Sequence, residues 1–382
     1  MKFETNTLRK KLSNLLFSNV ESYVEKTLKQ IKNKRVYLFG VKKVDLAKTL
    51  SFMNEHSVKV RNIVDNNKAN HGLLENGIKY IGPSDIIIDD NTIVVICAYR
   101  VNEIYKQLIE LGIKNIFNIP RMGTNIGGHE ILDVRIYRSN RDKLMNVFDL
   151  LEDDLSKKVL FNWIKTSVSG DFNLFCRSVS KGQYYKANVS PMPINMFWPS
   201  EIFKLGNNEV FVEAGVAEGA TINNFISSVD KKYKKIIGLE PDMNNCNILV
   251  KKFEFENDIE FINKGLSDTK ASLAFYSDGL SSKIVESDGY GVNIDVIPLD
   301  DLSDIDELSL FVMDVEGYEV KALSGARSKI KKSMPKLSVC LYHRPEHIWE
   351  VPLLIKNICP KYKIYIRQYT DSTDELVCHA TI

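Results

Sequence analysis

Two apolar runs near the C-terminus, Tyr362–Ile366 and Glu375–Ile382, are joined by little more than Thr370-Asp371-Ser372-Thr373-Asp374. A parallel crossover needs a dozen or more residues, so these two strands can pair only antiparallel. From Glu209 up to that pair the pattern alternates instead. Short apolar runs at Val210–Val212, Ile236–Leu239, Ile259–Ile262, Leu310–Met313 and Leu337–Leu341 are separated by longer intervening segments. Such runs are typical of parallel strands covered on both faces. The spacing predicts a mostly parallel α/β sheet finished by one reversed strand.

A second alternation lies upstream. Val36–Phe39 ends at Gly40, a helical pattern follows through Ala47, Leu50 and Met53, and Val58–Val64 ends at Asp65. Beyond a turn-rich stretch come Ile93–Ala98, a helix bearing Ile104, Leu108 and Leu111 that stops near Gly112, and Asn115–Ile119 closed by Pro120. The 382 residues suit two cores. They divide into an N-terminal helical segment (1–33, with Leu12, Leu15, Leu16 and Val20 at helical spacing), a small Rossmann-like domain (34–120), a helical connector (121–205) and a second α/β domain (206–382). In the connector one helix is expected over Lys143–Ser169, followed by Gly182-Gln183-Tyr184-Tyr185 and an irregular stretch through Pro191, Pro193 and Pro199.

Lys and Arg number 51 against 49 Asp and Glu, a net charge of +2, which argues against nucleic acid as a partner. Lysine pairs such as Lys231-Lys232 read as solvated helix ends or loops. Six cysteines lie far apart without a CxxC pair, as expected of reduced thiols and not of a zinc or disulfide framework. The opening MKFETNTLRKKLSNLLF is too charged for a secretory core, and no apolar run approaches the roughly 20 residues of a membrane span. A cytoplasmic enzyme without a transmembrane segment is expected, with oligomerisation left open.

The chemistry sits at strand ends, where open α/β sheets bind ligands. Glu213-Ala214-Gly215-Val216-Ala217-Glu218-Gly219 leads from a strand into a helix with Ile222, Phe225, Ile226 and Val229 on one face. A dinucleotide fingerprint has three glycines for a pyrophosphate. Here there are two, Gly215 and Gly219, and Glu213 would repel that anion. A cationic sulfonium with a free α-amino group suits the acidic end better; the plain alternative is a turn with no ligand. At the next strand end Glu240 can accept both hydroxyls of a ribose. Asp242 either joins that site or caps the following helix. Gly265 and Leu266 lie where an adenine would stack, unless the position is an ordinary turn. Asp314 and Glu316 follow the fourth strand, two carboxylates in three residues suited to orienting an amino group, assisting deprotonation or binding a divalent ion. His343 follows the fifth and is the candidate base for removing a hydroxyl proton near neutral pH; its plain alternative is a structural histidine. No metal site is expected, since Asp314 and Glu316 show no third carboxylate beside them.

Taken together, EAGVAEGAT, IGLEPD, Pro298-Leu299-Asp300-Asp301-Leu302 and MDVEGYEVKALSGA resemble the FkbM-type methyltransferases. The resemblance extends over residues 143–382 and includes Gln183-Tyr184-Tyr185 and Tyr342-His343-Arg344-Pro345-Glu346. It implies a class I methyltransferase sheet and S-adenosylmethionine as donor. The donor would bind at Glu213, Gly215, Gly219 and Glu240, with Asp314 and Glu316 lining the site. The implied acceptor is a carbohydrate hydroxyl, on a nucleotide sugar or a bacterial surface glycan, or else a polyketide-like product. Glu213 stands where such proteins more often have aspartate. The VDNNKANHG and NGIKYIGPSDI segments resemble small Rossmann modules that accompany bacterial sugar-modifying enzymes. With Gly40-Val41-Lys42-Lys43 in place of a glycine-rich loop, a non-catalytic binding or assembly role is expected there, although Lys42 and Lys43 could meet a phosphate. Two rivals stay open: a nicotinamide-dependent oxidoreductase using Gly40 and Asp65, and a glycan-assembly scaffold with a degenerate donor site.

Overall fold

The computed structural model describes residues 2–19, 21–41, 43–98, 101–119, 134–170, 174, 196–276, 283–284, 292–303, 305, 307–370 and 373–382. Val20, Lys42, Pro120, Cys176 and the segment with Gln183-Tyr184-Tyr185, Pro191 and Pro193 lie outside them.

The chain opens with α1 (Lys2–Phe17) and α2 (Tyr23–Ile31). Ser22 starts α2 through a reciprocal cap: its Oγ accepts the Glu25 N–H at 3.1 Å, and Glu25 Oε2 accepts the Ser22 N–H at 3.0 Å. The first sheet contains β1 (Arg35–Phe39), β2 (Val60–Val64), β3 (Leu74–Glu75), β4 (Ile78–Ile81), β5 (Thr92–Ile96) and β6 (Ile116–Asn118). Helices α3 (Lys43–Glu55) and α4 (Val101–Glu110) make crossovers. The order is β3-β4-β2-β1-β5-β6, parallel except for the short β3–β4 pair. Strands β3 and β4 fall in the stretch whose residues read as turns. Alternate residues of β1 feed two cores, Val36 and Leu38 with Leu28 and Ile31 of α2, Tyr37 and Phe39 with Ile104 and Leu108 of α4.

Next come α5 (Val134–Ser139), α6 (Arg141–Leu150) and α7 (Asp154–Ser169). The single helix expected over Lys143–Ser169 is therefore two. At the break Leu151 bridges to Ile364, and Asp153 Oδ1 caps α7 by accepting the Ser156 N–H at 2.8 Å. Buried Arg367 donates to Asp153 Oδ2 at 2.6 Å and to Ser156 Oγ at 2.8 Å, fixing this cap to the sheet behind it. Leu12 and Leu16 of α1 are buried in the same core as α5–α7 and the second sheet, whereas α2 belongs to the core of the first.

The second sheet contains β7 (Val210–Ala214), β8 (Lys235–Leu239) and β9 (Ile259–Ile262), with α8 (Ala220–Ser228) and α9 (Met243–Lys252) between them. A smaller sheet follows, formed by β10 (Gly265–Leu266), β11 (Ala271–Tyr276), β12 (Lys283–Ile284) and β13 (Val292–Ile297) in the order β10-β13-β11-β12. The sequence pattern does not announce it. The chain then returns through β14 (Leu310–Met313), α10 (Glu319–Gly325), α11 (Arg327–Ser333), β15 (Lys336–Cys340), α12 (His347–Ile358), β16 (Lys363–Gln368) and β17 (Leu376–Thr381). The seven-stranded order is β16-β17-β15-β14-β7-β8-β9. Only β17 runs against the rest, paired antiparallel to β15 on one side and β16 on the other. The expected parallel sheet with its reversed C-terminal strand is present.

Candidate active site

The chain enters the second sheet at β7, builds outward to β9, then crosses back to β14 on the other side of β7. The switch between β7 and β14 opens a crevice at the carboxyl ends of the strands. Register aligns those ends, with Ala214 opposite Leu239 and Met313, and Met313 opposite Val339. The residues just past them, Gly215, Glu240 and Asp314, thus share one edge.

Gly215 turns there with φ +83°, and an added Cβ would collide with the Asp314 carbonyl oxygen. No side chain fits between the two strand ends. Gly219, with φ +77°, begins α8. Glu240 clamps the turn: Oε2 accepts the Ala217 N–H at 2.8 Å and Oε1 accepts the Asp242 N–H at 2.9 Å. Burial raises its carboxyl pKa against these two bonds. Asp242 caps α9 by accepting the Asn244 and Asn245 N–H groups at 2.8 and 3.1 Å. Glu213 is buried beneath the turn, and its Oε2 has no hydrogen-bond partner among the described residues. Burial, with Asp314 and Glu240 nearby, pushes its carboxyl well above the usual range against a hydrogen bond to Thr221. Gly265 pairs with Val296 in the small sheet, and Leu266 is packed into the core.

On the other side of the switch Asp314, Glu316 and His343 converge. His343 Nε2 lies 3.3 Å from Asp314 Oδ1 and 3.5 Å from Glu316 Oε2. Glu316 reaches this position through a left-handed backbone, φ +51°, followed by Gly317 at φ +100°. Tyr342 Oη donates to Asp314 Oδ2 at 3.1 Å. Burial raises the Asp314 carboxyl against the attraction of His343.

A third carboxylate stands behind them, correcting the expectation that Asp314 and Glu316 lack one. Glu319, fully enclosed at the start of α10, holds His343 Nδ1 at 2.6 Å, and its Oε2 lies 3.1 Å from His347 Nδ1. Burial of Glu319 would raise its pKa, but the two imidazoles hold it well below the usual carboxylate range. Burial of the His343 ring would depress its pKa, yet Glu319, Glu316 and Asp314 push it up to about 10. The signal was present in the sequence as Glu316 and Glu319 three apart and His343 and His347 four apart. Asp314, Glu319 and His343 also bring candidate ligand atoms within 4.8 Å of one another. His343 Nδ1 is engaged by Glu319 at hydrogen-bond distance, which leaves Nε2 facing Asp314 and Glu316.

A mixed sheet of this order, with a glycine turn at its switch point, is the sheet of the class I methyltransferase fold. Residues 209–371 match the family model of the methyltransferase FkbM domain, and with that domain the chain is an S-adenosylmethionine-dependent methyltransferase. Methyltransferase FkbM from Methylobacillus flagellatus KT shares the fold through both halves: its crystal structure aligns over 99% of this chain and 98% of that one, at a TM-score of 0.71 and 19% identity. Weaker likenesses include Aeropyrum pernix fibrillarin in complex with natively bound S-adenosyl-L-methionine (TM-score 0.34, 9% identity, 50% of this chain and 74% of that one). Another is a SAM dependent methyltransferase from Aquifex aeolicus (TM-score 0.28, 11% identity, 46% and 82%). Comparison with curated proteins found no match. Among the described residues no helix is long and apolar enough to cross a membrane.

Proposed function

We propose that the enzyme methylates a sugar hydroxyl, on a nucleotide sugar or a glycan destined for a bacterial surface, in the cytoplasm. The observation that carries O-methylation is the imidazole of His343 at the switch-point edge, held by Glu319 on one nitrogen and facing Asp314 and Glu316 with the other. When bound, the donor supplies an electrophilic methyl group on a sulfonium. Three features support a donor site at this edge: the Gly215 turn that excludes any Cβ, the Glu240 carboxylate at the next strand end, and the unpartnered Oε2 of Glu213.

In its deprotonated form His343 Nε2 takes the acceptor's hydroxyl proton as the acceptor oxygen attacks. A sulfonium donor would give up its methyl group and leave as a neutral thioether, so the site would need no acid for the leaving group. The rest of the barrier falls through positioning. Asp314 and Glu316 stabilise the imidazolium that forms. A sugar acceptor is favoured by the family resemblance and by the sugar-modifying character of the module that the first sheet resembles. Incubation with S-adenosylmethionine labelled in the methyl group and a panel of nucleotide sugars, glycans and polyketides tests the reading. Label appearing on a sugar oxygen supports it; label only on a polyketide, or on nitrogen, rejects the acceptor.

A further inference from the structure

We propose that the carboxyl edge of the first sheet is a second binding site, in which the Asn118 amide reads a flat heteroaromatic ring by a hydrogen-bond donor and acceptor set side by side, as on the edge of a nucleobase. The inference is independent of the acceptor proposed above.

The order of the first sheet reverses between β1 and β5. Register brings Phe39, Ile96 and Asn118 to one level at the carboxyl ends of β1, β5 and β6. Open parallel sheets bind ligands at such an edge. Several polar side chains near it are satisfied from within the fold. Asp65 accepts the Asn67 N–H at 2.8 Å and Asn70 Nδ2 at 2.6 Å. Asn66 and Gln107 exchange hydrogen bonds at 3.1 and 2.9 Å. Asn118 differs. It is 7% exposed, and neither Oδ1 nor Nδ2 has a hydrogen-bond partner among the described residues. Its backbone N–H is settled, donating to Tyr23 Oη at 3.0 Å. A buried amide unpaired at both ends costs stability, and an apolar side chain of the same size would serve the fold better.

Asn118 lies two positions past Ile116 on β6, so both side chains take the same face of the sheet. Ile96, Ala98 and Ile104 of α4 pack on that face with Ile116. The walls are therefore apolar, and the amide is set among them. To be satisfied it needs a donor for Oδ1 and an acceptor for Nδ2. A fully ionised phosphate offers acceptors alone and would leave Oδ1 bare. An ammonium offers donors alone and would leave Nδ2 bare. A saccharide meets both needs but brings further hydroxyls that apolar walls leave unpaired. A flat ring with one lactam or amidine edge answers the amide with that edge and turns its faces to the isoleucines. Asparagine pairs with adenine in this bidentate way.

Calorimetric titration of the full chain with uridine, cytidine, adenosine and guanosine tests the site, with glucose and inorganic phosphate as controls. S-adenosylhomocysteine is kept in excess so that the second sheet takes no part. At least one nucleoside should bind with a Kd of about 1 mM or tighter, and Asn118→Leu should weaken it about tenfold or more. Asn118→Asp, which keeps the shape and loses the donor, should weaken it comparably. Removing the unpaired amide in Asn118→Leu should also raise the ligand-free Tm by about 2 °C or more. Binding of glucose or phosphate in place of a nucleoside, no nucleoside binding, or undiminished binding by folded Asn118→Leu overturns the inference. A lowered Tm in Asn118→Leu would show that the amide holds the fold and not a ligand.

Discussion

The two parallel-stranded sheets of this chain share a switch-point design and differ in what stands at it. In the first, Gly40 has φ +76° and an added Cβ would meet Ala98 of the adjacent strand end at 2.6 Å. In the second, Gly215 has φ +83° and meets Asp314. The neighbouring strands end in Asp65 and Glu240, and each accepts the N–H two residues ahead, at 2.8 and 2.9 Å. There the parallel stops. Asp65 spends its other oxygen on Asn70 of its own loop at 2.6 Å, while Glu240 reaches across to Ala217 in the glycine turn. Where the first sheet has Ala98, the second has Asp314 with Glu316, Glu319 and His343 around it. Similar geometry hosts a reaction site only where the strand ends carry the chemistry.

The largest expected effect is at His343. His343→Ala should lower single-turnover methyl transfer by about 100-fold or more with donor affinity nearly unchanged, and Asp314→Asn should do comparable damage. Full turnover in His343→Ala would move the base to Asp314 or Glu316. Activity that survives EDTA is expected; loss to EDTA and recovery with magnesium would mean that a metal activates the acceptor.

The paired glycines sharpen the comparison next. Alanine at either should cost about 1–3 kcal/mol of stability through strain and crowding, read from denaturant melts. Only Gly215→Ala should also weaken donor binding, by about tenfold or more, since the proposed donor site lies on that turn. Equal losses from Gly40→Ala would draw the first sheet into the donor site.

A smaller effect is expected in thermal stability against pH. His343, lifted from 6.5 to about 10, contributes stability that is complete below pH 6.5 and lost as pH rises through about 10. Glu319, depressed from 4.5, contributes stability present above 4.5 and lost as the pH falls below it. The donor-free enzyme should therefore lose Tm on the alkaline side more steeply than His343→Gln. Identical slopes would mean that the imidazole holds no extra proton.

Much of this comparison was legible in the residues. Seven apolar runs after Glu209 became the strands of the second sheet, and the shortness of the link around Thr370 fixed its one reversal. Strands with too few residues to show a period were missed, among them β3 at Leu74–Glu75 and β10 at Gly265–Leu266. The break before α7 was missed because Leu150, Leu151 and Leu155 keep helical spacing across it; what ends α6 is the long-range bridge from Leu151 to Ile364. Glu319 escaped because its role depends on enclosure between two histidines, which one segment of sequence does not display. The five described cysteines, Cys97, Cys246, Cys340, Cys359 and Cys378, are free thiols.

The most direct test of the difference between the two sheets is the equilibrium affinity of S-adenosylmethionine for the full chain and for Glu240→Ala and Asp65→Ala. Wild type and Asp65→Ala should bind alike in the micromolar range, about −8 kcal/mol. Glu240→Ala, which loses the proposed ribose contacts and frees the Ala217 and Asp242 N–H groups, should bind about tenfold or more weakly, at about 1.5–3 kcal/mol per charge-assisted hydrogen bond. Absence of binding by the folded wild type, or a loss confined to Asp65→Ala, would contradict the placement of the donor at the edge of the second sheet.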